Sequence, residues 1–149
     1  MILPANPFRI VLADDHALLR QDLKRFLGEK TDLEVVGEAE NGLDLLSLLD
    51  RLALSGLTPH LVILDISMPM VGGFEALHLI NKAHPGVNAL ICTIHNDNEF
   101  VCHAIAMGAR GYLLKEDMNA ELFPAIEKIR QGEVYVSKRL YSPPEHPFI

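Results

Sequence analysis

Three stretches of the sequence place a charged residue directly after a short apolar run. The pair Asp14–Asp15, Asp65 and Lys115 each follow four apolar or small residues. Runs of this kind predict buried strands, and in open α/β sheets the chemistry takes place beyond the carboxyl ends of the strands. If the three strands are parallel neighbours, three carboxylates and one ammonium group meet at one small site.

Such a set of groups is suited to a divalent cation and a phosphoryl group. Hard oxygen ligands favour Mg²⁺, and an ionised aspartate such as Asp65 can attack phosphorus to form an acyl phosphate. Lys115 would neutralise the phosphoryl oxygens, and the hydroxyl of Thr93, at the end of a further apolar run, could donate to one of them. The sequence therefore predicts aspartyl-phosphate chemistry.

Each residue also has a simpler interpretation. Asp14 and Asp15 could cap a helix, Asp65 could be a loop residue, Lys115 a solvated lysine and Thr93 an ordinary strand end. Their joint occurrence at the ends of different strands favours the site. For His16, by contrast, an exposed first-turn residue is favoured over a metal ligand. For His95, a plain loop residue is favoured over a proton sensor.

Strand and helix patterns alternate five times along the chain, which predicts βαβ units, a parallel sheet and right-handed crossovers. The predicted strands cover 8–13, 33–38, 60–64, 88–93 and 111–114, and the predicted helices cover 16–28, 41–54, 73–83, 97–107 and 119–130. Residues 133–149 contain three prolines close together and no periodicity, so we expect a linker or tail there.

Bulk composition limits the classes of function. With 149 residues, 49% of them hydrophobic, the chain is expected to form one domain with a core. A net charge of −7 argues against nucleic-acid binding by this chain alone. Cys92 and Cys102 lack metal-site spacing and indicate reduced thiols. Since neither a signal peptide nor an apolar run near 18 residues is found, a cytoplasmic location without membrane contact is expected.

Taken together, these motifs resemble the receiver domain of bacterial two-component response regulators. The resemblance covers about residues 8 to 132 and depends on Asp14–Asp15, the segment 64–73, Thr93 and the segment 111–115. The segments 13–16, 108–116 and 132–137 are similar to the NarL/FixJ subfamily. The resemblance implies an α/β, flavodoxin-like (βα)5 doubly wound parallel sheet with strand order 2-1-3-4-5.

The resemblance also implies roles for individual residues. Asp65 would be the phosphoacceptor and Lys115 would hold the phosphoryl group. Thr93 and Tyr112 would form a switch pair, in which Tyr112 rotates inward after Thr93 moves towards the phosphoryl group. The implied Mg²⁺ ligands are Asp15, Asp65 and the backbone carbonyl of Ser67, with Asp14 acting through water.

The implied partner is a sensor histidine kinase that carries phosphohistidine, and a homodimer is expected on activation. Residues 1–132 would form the receiver domain. Residues 133–149 would lead to a C-terminal LuxR-type helix-turn-helix domain, absent from this chain, which would bind promoter DNA and regulate transcription. We expect truncation rather than a stand-alone receiver, because the chain stops inside a proline-rich segment.

Three features depart from the family pattern. The stretch 48–60 is longer than usual, Glu116 replaces the proline of many receivers, and Pro124 predicts a late start or a bend in the last helix.

One competing hypothesis is a Mg²⁺-dependent phosphatase or phosphotransferase with Asp65 as nucleophile, but Ser67 lies where such enzymes place an acid. The other is a pseudoreceiver that is not phosphorylated, which the complete acid set disfavours. No enzymatic activity beyond self-phosphorylation and autodephosphorylation is expected.

Overall fold

The computed structural model describes residues 6–140, which form one six-stranded parallel sheet with α-helices on both faces. The strands are β1 (Phe8–Ala13), β2 (Leu33–Ala39), β3 (Leu61–Leu64), β4 (Asn88–Thr93), β5 (Gly111–Leu114) and β6 (Tyr135–Val136). The helices are α1 (Ala17–Leu27), α2 (Gly42–Leu54), α3 (Gly73–Ala83), α4 (Asn98–Ala106) and α5 (Met118–Arg130). Short 3₁₀ turns span Lys115–Asp117 and Lys138–Leu140.

The strand order is β2-β1-β3-β4-β5-β6, so the predicted order 2-1-3-4-5 and the flavodoxin-like fold are confirmed. Side chains of each strand alternate between the two faces. One face packs against α1 and α5, and the other packs against α2, α3 and α4. The central strand β3 is buried along its whole length, as expected for a parallel sheet covered on both sides.

The sheet register brings the carboxyl ends of the central strands together. Ala13 at the end of β1 lies opposite Leu64 at the end of β3. Thr93 at the end of β4 lies opposite Leu114 at the end of β5. The residues that follow these ends therefore emerge at one edge of the sheet.

Helix α5 does not show the late start that was one of the two outcomes expected from Pro124, and a bend there stays a prediction. The helix begins at Met118 and keeps Pro124 in its interior, so it does not start late. Pro124 is exposed, which lets water reach the carbonyl of Ala120 that lacks a helical donor. Leu122, Ile126 and Ile129 are buried in the core, so most apolar residues of this helix serve packing.

The folded unit continues past Gly132, where the predicted domain boundary lies. Residues 135–140 form β6 and a 3₁₀ turn and pack beside β5. The prediction of a tail from residue 133 therefore missed a sixth strand, and the rest of the predicted tail, 141–149, lies outside the described residues. Between residues 6 and 140, no helix is long and apolar enough to cross a membrane.

Candidate functional site

Asp14 and Asp65 are placed by the backbone of the sheet. The N–H of Asp14 donates to the carbonyl of Ala39 at 3.0 Å, and the N–H of Asp65 donates to the carbonyl of Ala13 at 2.9 Å. Both bonds continue the strand ladders by one residue, which fixes where the two side chains leave the sheet. The two residues are only 5% and 3% exposed.

Lys115 connects these two carboxylates. Its Nζ lies 3.0 Å from Oδ2 of Asp14 and 3.1 Å from Oδ2 of Asp65. Burial opposes the ammonium charge, but the hydrogen bonds to Asp14 and Asp65 outweigh this effect and raise the pKa of Lys115 above its ordinary value. The lysine therefore stays protonated and is the cation placed between the two acids.

The donor set fits a hard divalent cation. Carboxylate oxygens of Asp14, Asp15 and Asp65 and a ring nitrogen of His16 all lie within 4.8 Å of one another. Three carboxylates against the single ammonium of Lys115 leave a formal surplus of two negative charges, which an oxygen-bound Mg²⁺ would balance.

His16 takes part in this cluster from its rim. Its Nδ1 lies 3.2 Å from Asp14 and 3.3 Å from Asp15, and its side chain is 69% exposed. Its backbone N–H donates to Oδ1 of Asp14 at 2.8 Å, at the position just before α1. The residue thus helps to orient Asp14, while the buried oxygens come from Asp14 and Asp65.

Two loops meet across the site through Ser67 and His95. The N–H of Ser67 donates to Oδ1 of Asp65 at 3.0 Å, and its hydroxyl lies 2.9 Å from Nε2 of His95. The sequence favours a plain loop residue at His95, and the structure places it against Ser67 instead. The one sequence signal for this contact is the place of His95 two residues after Thr93. The sequence does not show which loops meet, because the tertiary fold sets their positions.

Thr93 and Tyr112 are both fully buried and both contact the backbone of His95. Oγ1 of Thr93 accepts the N–H of His95 at 3.3 Å. The hydroxyl of Tyr112 donates to the carbonyl of His95 at 2.7 Å, and burial raises its pKa well above the ordinary value. Tyr112 thus already lies inward, so the inward rotation predicted for the switch is not needed from this conformation.

The loop after Asp65 depends on a close backbone approach at Gly73. A methyl group built on Gly73 would lie 2.2 Å from Cα of Ile66 and 2.9 Å from the carbonyl oxygen of Asp65. Only glycine allows α3 to begin this close to the aspartate. The Gly72–Gly73 pair lacks phosphate-loop spacing, and the role of Gly73 here is steric.

The structure thus brings together Asp14, Asp15, Asp65 and Lys115, as the sequence predicts. Thr93 and Tyr112 join the site through the backbone of His95, and Ser67 joins it through its backbone N–H. Coordination of Mg²⁺ by the Ser67 carbonyl stays a prediction.

Several known proteins are similar to this chain. The family model of the response regulator receiver domain matches residues 10–127. The transcriptional regulatory protein DegU of Brevibacillus brevis is 35% identical over 135 residues, which cover 91% of this chain and 55% of the relative. The response regulator GacA of Pseudomonas protegens is 33% identical over 132 residues, which cover 89% of this chain and 60% of the relative. The chain therefore spans little more than half the length of these curated relatives.

Solved structures give the same result. A two-component response regulator of the LuxR family from Aurantimonas sp. SI85-9A1 superposes with a TM-score of 0.83 at 32% identity, covering 91% of this chain and 93% of that chain. The isolated REC domain of RcsB from Salmonella enterica serovar Typhimurium superposes with a TM-score of 0.80 at 22% identity, covering 91% and 96%. This second likeness concerns the fold alone. The expected resemblance to LuxR-type regulators is confirmed, and the chain belongs to the response regulator receiver domain family.

Proposed function

We propose that this chain is a phosphorylation-activated receiver in which Asp65 accepts a phosphoryl group with the help of Mg²⁺. The observation that carries the proposal is the position of Lys115, whose ammonium group contacts Asp14 and Asp65 at the same time. This partly buried ammonium group is the cationic partner of two buried carboxylates, and it is placed to neutralise phosphoryl oxygens on Asp65. An ionised Asp65 is the form that can act as a nucleophile.

The proposed donor is phosphohistidine on a sensor histidine kinase. A carboxylate oxygen of Asp65 forms the new O–P bond, the P–N bond breaks, and its electron pair stays on the imidazole of the donor. Lys115 then donates to a phosphoryl oxygen in place of its present bond to Asp65. Asp15, Asp65 and the Ser67 carbonyl would hold Mg²⁺ directly, and Asp14 would act through water. The bound ion would neutralise charge on the phosphoryl oxygens.

The response to phosphorylation is proposed to run through Thr93. The phosphoryl group adds about −1.5 to −2 charge units and three strong acceptor oxygens, so the Thr93 hydroxyl gains a new partner. Its present bond from the His95 N–H is long, at 3.3 Å, and is replaced at little cost. Since the Tyr112 hydroxyl holds the carbonyl of the same residue, movement of this loop changes the surface formed by α4, β5 and α5.

The output is proposed to be transcriptional. Relatives that carry the matching segment in a longer chain include a transcriptional regulatory protein and an oxygen regulatory protein, and the RcsB protein forms dimers bound to DNA. By analogy, this receiver would act in the cytoplasm, dimerise when phosphorylated, and control DNA binding by a C-terminal helix-turn-helix domain. The receiver itself would catalyse only its own phosphorylation and dephosphorylation.

Labelling with a small phosphodonor tests the acceptor. Acetyl phosphate with Mg²⁺ should add one phosphoryl group per chain that alkali or hydroxylamine removes, detected by intact mass, and Asp65→Asn should abolish it. Asp22→Asn, which removes an exposed carboxylate on α1, is the matched control and should label like the unmodified chain. Equal labelling of Asp65→Asn would refute the acceptor. No labelling of any form would favour a pseudoreceiver, and continuous turnover of a generic phosphate ester would favour a phosphatase.

A further inference from the structure

The segment 135–140, here called the C-terminal strap, lies along the free side of β5. Tyr135 and Val136 pair in parallel with Gly111 and Tyr112, and the N–H of Ser137 donates to the carbonyl of Tyr112 at 2.9 Å. The strap then turns in a 3₁₀ conformation towards the carboxyl end of β5. Its course brings it to the chain neighbours of Lys115.

The strap binds residues on both sides of Lys115. Before the lysine, Oγ of the fully buried Ser137 accepts the N–H of Leu114 at 3.0 Å. After the lysine, the guanidinium of Arg139 binds the buried carboxylate of Asp117 through two contacts, at 2.8 and 3.1 Å. Arg139 also lies 3.4 Å from Glu116. The residues directly before and after the phosphoryl-binding lysine are therefore bound to the same short segment.

A third contact attaches the strap to α5. The buried carboxylate of Glu121 accepts the hydroxyl of Tyr135 at 2.7 Å and the N–H of Lys138 at 3.0 Å. Within residues 6–140, no buried side-chain nitrogen or oxygen lacks a hydrogen-bond partner. Loss of the strap would leave Glu121, Asp117 and the Leu114 N–H without these partners, and unpaired polar groups are costly in the interior.

We propose that the C-terminal strap positions Lys115 for the phosphoryl group, so that strap docking and phosphoryl binding strengthen each other. The inference rests on the proposed function of Asp65 and Lys115. Ser137 and Arg139 are positioning residues, because Ser137 acts through the Leu114 backbone and Arg139 acts through the Asp117 and Glu116 carboxylates on either side of Lys115. Since coupling between two sites is reciprocal, a phosphoryl group held by Lys115 also tightens the segment through which the chain continues beyond residue 140.

Affinity for beryllofluoride, used as the phosphoryl mimic, provides the first test in the full chain. At saturating Mg²⁺, Ser137→Ala and Arg139→Gln should each weaken beryllofluoride binding about tenfold, which lies within the usual range of coupling effects. Mg²⁺ binding without beryllofluoride should stay unchanged, since the metal ligands do not contact the strap. Lys138→Ala, which removes an exposed side chain from the same turn, is the matched control and should have no effect.

Amide hydrogen exchange provides the second test. In the unmodified chain, beryllofluoride with Mg²⁺ should slow exchange at Ser137 and Lys138, whose N–H groups are bonded to Tyr112 and Glu121. Arg139→Gln changes a half-exposed side chain and serves if Ser137→Ala fails to fold. Normal beryllofluoride affinity in the folded variants, or unchanged exchange in the unmodified chain, would overturn the coupling while leaving Asp65 as acceptor. Failure of the unmodified chain to bind beryllofluoride would instead overturn the proposed function, and the coupling with it.

Discussion

Replacing Gly73 by alanine should destabilise the protein strongly, because its new methyl group would meet main-chain atoms. The methyl would lie 2.2 Å from Cα of Ile66, whereas ordinary contacts begin near 3.4 Å, so the two segments must separate by about 1.2 Å. No rotamer change relieves a clash with backbone. Overpacking typically lowers the free energy of unfolding by about 1–3 kcal/mol. We expect the upper end, about 3 kcal/mol, because the clash is with backbone and the higher helix propensity of alanine recovers at most about 1 kcal/mol.

The neighbouring Gly72 supplies the matched control. No atom lies within 4 Å of a methyl group built there, and its φ of −69° suits any residue. Gly72→Ala should therefore change the free energy of unfolding by less than about 1 kcal/mol. Urea unfolding of both variants, followed by circular dichroism, measures the difference.

The same pair of variants reports on the site. Because Ile66 follows Asp65 directly, Gly73→Ala should also slow labelling by acetyl phosphate, even in conditions where the variant remains folded. If Gly73→Ala proved as stable as Gly72→Ala and labelled at the same rate, the steric account of this loop would be refuted.

Two further predictions concern titratable groups, the half-buried His60 and the buried Cys92. His60 accepts the backbone N–H of Arg9 on Nδ1 at 2.9 Å, and burial together with the charges of Arg9 and Arg130 lowers its pKa below 6.5. The unfolded chain therefore binds a proton first, and stability should fall as the pH drops below 6.5, by at most about 1.4 kcal/mol per pH unit. Urea unfolding should show a weaker pH dependence for His60→Phe than for the unmodified chain, and identical slopes would contradict this account. Burial raises the pKa of the Cys92 thiol to about 12, so in a Cys102→Ser background a thiol reagent at pH 8 should label Cys92 only as urea unfolds the chain. Rapid labelling in native buffer would show that the thiol is accessible.

The acid site could be predicted from the sequence because its residues are tied to local pattern. Each of the residues Asp14, Asp65 and Lys115 directly follows an apolar strand. The parallel sheet aligns the ends of these strands and so brings the three side chains together. The predicted strand and helix limits agree with the structure to within one or two residues for the same reason. Apolar runs and their glycine and proline boundaries are local signals.

Contacts that depend on long-range pairing could not be predicted in this way. Strand β6 has only two residues and no alternation to detect, and its partner β5 lies more than twenty positions earlier. The contact between Ser67 and His95 joins two loops whose conformations are set by the whole fold. The steric role of Gly73 similarly follows from the approach of α3 to Ile66 rather than from any sequence motif.

The sixth strand also protects the sheet margin. All four residues of β5 are buried, and without Tyr135 and Val136 their backbone would form an uncovered edge of apolar sequence. Uncovered edges of this kind invite strand addition by other chains and aggregation. A shortened protein that ends at Gly132, where the helical pattern stops, would therefore be expected to self-associate. A protein that retains the residues up to Leu140 keeps β6 paired with the edge of β5.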